Sequence, residues 1–285
     1  MGAVIDLHLH TTASDGRCTP EDLVERCSAA GLRVMSVTDH DTRAGESAAR
    51  RSAIDRGIEF VSGIEITSVH DGKDVHVLGY NLPAELPELD ALIAEQRRLR
   101  VERAREIAHR LARAGAPIDI DALIASASKA SGKAVARPQI AQLLIAAGHV
   151  ASVGEAFDRF LGDTCPAYVP HQGSSPATVV SLLARSGAVA SLAHPGRLNA
   201  DELIPGLIDA GLACIEAYHS THDAAAQAHY LDLARRHGLL VTGGSDYHGE
   251  GTRHAECFGV VGLEPSAYER LKERFTHSGR YSGVR

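Results

Sequence analysis

The feature that most constrains this chain is a recurrence. Short, β-branched apolar runs alternate with helix-like segments, and nearly every run ends on histidine, aspartate or glutamate. AVIDLHL, VMSVTD, FVSGIEITSV, GAVASLAHP, ACIEAYHS, LLVTGGSDYH and CFGVVGL read as strands. Helical periodicity fills the intervals, the first helix opening with Thr19 as N-cap and Pro20 at its first position. Repeated strand–helix units predict a parallel sheet or barrel of about seven strands. A hairpin return, DVHVLGYN, turning at Asp71-Gly72, is counted apart from these. The alternation breaks from about 85 to 165, where the sequence is almost wholly helical. The expected organisation is a barrel from 1–84 and 166–285, with an inserted helical subdomain at 85–165 covering the cleft.

The ends of the predicted strands carry the chemistry. In order they offer His8 and His10, Asp39 and His40, Glu65, His76 on the hairpin return, His194, Glu216 with His219, and Asp246 with His248. Side chains two apart on a strand share a face, so His8 and His10 point together, with Asp15 following closely. In a parallel barrel all these ends gather on the catalytic face. Imidazoles and carboxylates without thiolates suit Mn²⁺, Zn²⁺, Fe²⁺ or Co²⁺ rather than Ca²⁺. Even about nine ligands drawn from these groups would exceed what one ion takes, so two or three ions are implied, with a carboxylate bridging a pair about 3.5–4 Å apart.

Bulk properties exclude several other classes. The net charge of −7 gives no basis for coating a polyanion by bulk electrostatics. Five scattered cysteines, Cys18, Cys27, Cys165, Cys214 and Cys257, form no C-x-x-C pair and fit a reducing compartment. With no leader-like N-terminus and no membrane-length apolar run, a cytoplasmic enzyme without membrane or obligate protein partner is expected.

The pieces DLHLHTTASDG, VTDHDT, GIEIT, VHVLGY, LAHP and GSDYHG, in this order, resemble the polymerase-and-histidinol-phosphatase (PHP) family of metallo-phosphoesterases. The resemblance implies a distorted seven-stranded (β/α) barrel of TIM type with a trinuclear centre, Mn²⁺ being the expected ion. It places His8, His10, Glu65 and Asp246 on one metal, and Glu65, His76 and His194 on a second. Asp15, His40 and His248 fall on a third. Glu65, Asp246 and His194 are expected to carry catalysis. The helical insertion, with KAVARPQIAQLL, resembles the stand-alone branch, which includes nucleoside 3′,5′-bisphosphate phosphatases and exonucleases of short 5′-phosphorylated RNA. The chain departs from many relatives at Gln139, where they have histidine.

Removal of the 3′-phosphate from a nucleoside 3′,5′-bisphosphate, by metal-activated water, is the expected reaction, with a 5′→3′ exoribonuclease as its alternative. Histidinol phosphate, a metal-dependent amidohydrolase and a non-catalytic PHP scaffold are the remaining options. No lysine stands at a matching strand end to favour the amidohydrolase, and the full ligand set disfavours a relic. Arginine's planar fork suits phosphate, which makes Arg103, Arg137 and Arg197 candidates for substrate binding, followed by Lys133 and His222. The arginines of the long helix also have a bland explanation, a solvated face of i,i+4 ion pairs with Glu95, Glu102 and Glu106. His254 is expected at the surface or in packing. Asp6, Asp39 and His219 are expected to support ligands rather than to be ligands.

Overall fold

Strand pairing in a computed structural model of the chain, which describes residues 4–129, 137–252 and 254–277, follows chain order without exception. The strands are β1 (Ile5–Leu9), β2 (Val34–Val37), β3 (Glu59–His70), β4 (Lys73–Tyr80), β5 (Val189–Leu192), β6 (Cys214–His219) and β7 (Leu240–Gly244). All neighbours are parallel except β4, which runs antiparallel to both β3 and β5. The seam between β7 and β1 is nearly closed, because Asp246 donates its N–H to the His8 carbonyl (2.9 Å) and His10 donates to that of Tyr247 (3.0 Å). The fold is therefore a seven-stranded α/β barrel.

One expected strand is absent. CFGVVGL forms a short 3₁₀ turn and bends, with Gly259 at φ 71° and Val260 exposed. β1 and β7 already bond to each other, so no edge remains for another strand, and only the Leu263 N–H reaches Ile5 O (2.9 Å). The seventh strand is instead β4, the hairpin return. Its turn has Asp71 at φ 50° and Gly72 at φ 74°, the paired positive φ values that twist a two-residue hairpin correctly.

Helices α1 (Pro20–Ala29) and α2 (Glu46–Asp55) pack outside β1–β3. The Thr19 hydroxyl oxygen accepts the Asp22 N–H at 3.1 Å, the cap that the sequence implied. The chain then runs through α3 (Pro87–Arg113), α4 (Asp121–Lys129), α5 (Arg137–Ala146) and α6 (Val153–Ala156), which continues as a π-turn over Phe157–Leu161. These helices share an apolar cluster of their own, including Ile107, Leu111, Ile140, Leu144 and Leu161. Helices α7 (Pro176–Arg185), α8 (Ile204–Asp209), α9 (Ala224–His237) and α10 (Pro265–His277) return to the barrel wall. Among the described residues, no helix is long and apolar enough to cross a membrane.

The long helix α3 is two-faced. Arg98 pairs with Glu95 and Glu102, and Arg110 with Glu106, as a solvated face should. Arg97, Arg100 and Arg103, three apart, lie on the opposite side. Arg97 donates to Asp41 O (2.9 Å), Arg100 pairs with the Asp41 carboxylate, and Arg103 donates to Val169 O (2.8 Å). Asp41 directly follows His40, so α3 is tied to the loop carrying a candidate ligand.

Candidate metal centre

The barrel geometry brings the strand-end histidines and carboxylates to one point. His8 Nε2 lies 3.2 Å from Glu65 Oε2 and 3.3 Å from Asp246 Oδ1, while His10 Nε2 lies 3.3 Å and 3.2 Å from the same two oxygens. Four donors about 2.0–2.1 Å from a shared ion sit about 3.3 Å apart in a tetrahedron. The four imidazole–carboxylate distances match that spacing. The other Glu65 oxygen, Oε1, lies 2.7 Å from His76 Nδ1 and 3.1 Å from His194 Nε2. Asp15 in turn lies 3.3 Å from His248 Nε2 and 3.8 Å from His40 Nε2 and His10 Nδ1. His10, Asp15, His40 and His248 converge as a set, as do His8, His10, Glu65 and Asp246, and His40, Glu65 and His76.

The polar atoms also fit cations better than each other. His10 Nδ1 and Nε2, His40 Nδ1 and His194 Nδ1 are buried with no hydrogen-bond partner. His40 Nδ1 nevertheless stands 3.1 Å from Glu65 Oε2, close but outside hydrogen-bond geometry. Buried polar atoms are ordinarily paired, and a divalent ion is the partner that unpaired imidazole nitrogens gathered beside carboxylates would take. The residues present therefore fit divalent ions.

Without a metal, the cluster is electrostatically coupled. Burial alone would favour neutral His8, but the Glu216, Glu65 and Asp246 carboxylates outweigh it and hold its pKa well above the ordinary value. His10, equally buried, is pushed up to about 10 by Asp246 and Glu65. Burial opposes ionisation of Glu65, yet the imidazoles of His40, His76 and His8 hold its pKa far below the usual range. His40 and His194 go the other way, down to about 4, chiefly through burial and also through the charges on neighbouring imidazoles.

Backbone strain marks the same place. His194 has φ 28° and Asp246 φ 56°, conformations that side-chain-bearing residues avoid unless the surroundings impose them. Gly244 makes the seam possible, since a Cβ there would stand 2.4 Å from the His8 Cβ. Asp39 supports the loop carrying Asp15, accepting from the Thr11 N–H (2.7 Å), the Thr11 hydroxyl (2.7 Å) and the Ser14 hydroxyl (2.6 Å). Asp6 accepts from the Ser245 hydroxyl (2.6 Å) and the His8 N–H (3.1 Å), joining β7 to β1.

A cleft of about 380 Å³ opens above the cluster, lined by Arg17, Arg197, Ser220, Thr221, Thr252 and His254 besides the candidate ligands. Among the described candidates for substrate binding, only Arg197 lines it. Arg137 donates to Leu161 O (3.2 Å), pairs with Asp163 (2.9 Å) and lies near the Phe157 and Tyr168 rings, so it staples the helical region together. Arg103 is held by Val169 O, His222 has both ring nitrogens on backbone groups, and Lys133 falls outside the described residues. His171 bonds to Asp74 instead of facing the cleft. Among the lining residues that the sequence missed, Arg17 and His254 are the ionisable ones. Arg17 follows Asp15 by only two positions, but its place depends on a bond from its N–H to His248 O across the seam (2.8 Å). His254, expected at the surface or in packing, lines the wall from a left-handed conformation (φ 62°) in the turn that replaces the missing strand.

Comparison with known proteins agrees with this architecture. Residues 6–158 match the PHP domain family. A 5′-3′ exoribonuclease of Haemophilus influenzae is 38% identical over 194 residues, covering 68% of this chain and 69% of the relative. The 3′,5′-nucleoside bisphosphate phosphatase of Chromobacterium violaceum is 32% identical over 258 residues, covering 88% of this chain and 90% of the relative. A crystal structure assigned to a metal-dependent phosphoesterase of Bifidobacterium adolescentis superposes with a TM-score of 0.80 at 30% identity, covering 96% of this chain and 98% of the other.

Proposed function

Since this chain belongs to the PHP domain family, we propose that it is a metal-dependent phosphoesterase that removes the 3′-phosphate of nucleoside 3′,5′-bisphosphates. The observation that carries the proposal is the division of Glu65: one oxygen faces His8 and His10, the other His76 and His194. A carboxylate so placed joins two donor sets side by side, the arrangement needed to act on one phosphoryl group from two directions.

Bound divalent ions, with Mn²⁺ the expected species, supply Lewis acidity toward water and toward the phosphoryl oxygens. His8, His10, Glu65 and Asp246 would hold the first, Glu65, His76 and His194 the second, and Asp15, His40 and His248 the third. The chain's own cations orient the substrate. Arg197 is about half exposed, at 48%, and its Nη1 lies 3.8 Å from Asp246 Oδ2, where donor cluster and open cleft meet. That position suits the phosphate being cleaved, which its planar fork can grip at two oxygens. Arg17 enters from the opposite loop, one Nη1 bond to Glu250 O (2.9 Å) fixing its guanidinium beside the cleft. We assign the second phosphate to Arg17, in place of Arg137.

Short 5′-phosphorylated RNA is the second reading, favoured by the exoribonuclease name of the 38%-identical relative. In that case Arg17 would hold the terminal 5′-phosphate. A substrate panel with Mn²⁺ separates the two: adenosine 3′,5′-bisphosphate, 5′-phosphorylated di- and trinucleotides, histidinol phosphate and p-nitrophenyl phosphate. The proposal expects the highest kcat/KM on the bisphosphate. Faster release of mononucleotides from the short RNAs would favour the second reading instead. Arg17→Ala should raise KM for the bisphosphate about tenfold or more, as loss of a charge-assisted hydrogen bond implies, and leave p-nitrophenyl phosphate nearly unchanged. Equal effects on both substrates would remove Arg17 from this role.

A further inference from the structure

Strand β6 contributes no ligand to the sets above, yet it ends in two fully buried ionisable side chains, Glu216 and His219. We propose that Glu216 is a positioning residue that controls two ligand histidines at once, fixing the tautomer of His8 and the strained turn at His194. The proposal rests on the reading of both histidines as metal ligands.

Glu216 Oε2 accepts the backbone N–H of His194 at 2.8 Å, and Oε1 lies 2.9 Å from His8 Nδ1. A backbone amide only donates and a carboxylate only accepts, so the proton between Oε1 and His8 must sit on Nδ1. The Nε2 lone pair then faces Glu65 and Asp246, where the donor set requires it. The same carboxylate restrains His194 in its left-handed conformation (φ 28°) while its ring reaches Glu65. His222 holds this turn one step further on: its Nε2 accepts the Gly196 N–H (3.1 Å), and its Nδ1 donates to Ala217 O (2.9 Å). Two side chains from the β6 end thus anchor the loop that presents His194.

His8, Glu216 and His219 could themselves be taken for a further metal site. Their hydrogen bonding argues otherwise. Both Glu216 oxygens already meet donors. His219 Nδ1 accepts the Thr221 N–H (3.1 Å), so in the neutral ring the proton is on Nε2, which stands 3.3 Å from Asp246 Oδ2, close but outside hydrogen-bond geometry. A protonated Nε2 is no ligand, but it favours turning the other Asp246 oxygen toward His8 and His10. These residues form a supporting layer behind the centre, of the kind that fixes ring orientation and ligand basicity elsewhere.

Glutamine is nearly isosteric with glutamate but offers only one acceptor. In Glu216→Gln the new amide NH₂ must face either the His194 N–H, opposing one donor with another, or His8 Nδ1, moving the ring proton to Nε2. Calorimetric titration of the metal-free protein with Mn²⁺ should show at least one ion bound about 10–100-fold more weakly in Glu216→Gln than in wild type. Nitrogen-15 NMR of the wild type loaded with diamagnetic Zn²⁺ provides a second readout, independent of the variant's folding. It should find His8 protonated and protected from exchange at Nδ1, with Nε2 on the metal. Wild-type affinity in a folded Glu216→Gln, or metal on His8 Nδ1, overturns the proposal alone. Failure of the wild type to take up Mn²⁺ overturns it together with the metal-centre reading on which it rests.

Discussion

Replacing Glu65 by glutamine is expected to lower kcat by about a thousandfold or more, roughly 4 kcal/mol of lost transition-state stabilisation. The size of the effect follows from position. Glu65 is completely buried and meets imidazoles on both oxygens, with His8, His10 and His40 near one and His76 and His194 near the other. Its ionisation is sustained against burial by those rings, so the charge belongs to the site and not to the solvent. Glutamine keeps the volume but removes that charge and turns one acceptor into a donor, which disrupts at least one donor set. The check is steady-state kinetics with Mn²⁺ in excess, alongside metal content per chain. The expected variant is folded, deficient in metal and nearly inactive.

Metal uptake should also release protons and weaken sharply as pH falls. With no metal bound, the neighbouring carboxylates raise His8 and His10, the latter to about 10, so both rings carry a proton at neutral pH. A ligating nitrogen must give that proton up. The sign follows directly: below the raised pKa values protons compete with the ion, and each one displaced weakens apparent affinity about tenfold per unit fall in pH. Two displaced protons give about a hundredfold per unit. Calorimetry at one pH in buffers of different ionisation enthalpy counts the protons released. A count near zero would show that His8 and His10 are already neutral in the empty site, or are not ligands.

How far the sequence went depended on the range of the interactions involved. The convergence of His8, His10, His194 and Asp246 was legible because a local rule, the end of a strand, becomes a global one when strands run parallel in a barrel, whereas Glu65 lies midway along β3, past the point where its parallel pairing with β2 stops at Ser62. His76 sits on an antiparallel strand, where that rule does not hold. It reaches the cluster because the β3–β4 hairpin extends past the barrel rim and pairs His76 with Thr67. CFGVVGL looked like a strand for good local reasons, but the β1–β7 seam had already used the available edges. Arg103 and Arg137 have the right chemistry for phosphate, yet Val169 O and Asp163 engage them through contacts that no spacing rule reveals. Arg17 and His254 are the converse, placed at the cleft by loops whose course only tertiary bonds determine.

Counting the ions is the most direct test of a shared multinuclear centre. Protein freed of metal by chelation, reloaded with Mn²⁺ and desalted should carry two to three ions per chain by elemental analysis, with spin coupling between neighbours in its paramagnetic resonance spectrum. One isolated ion, or none, in a protein that still hydrolyses its substrate at full rate would contradict the account.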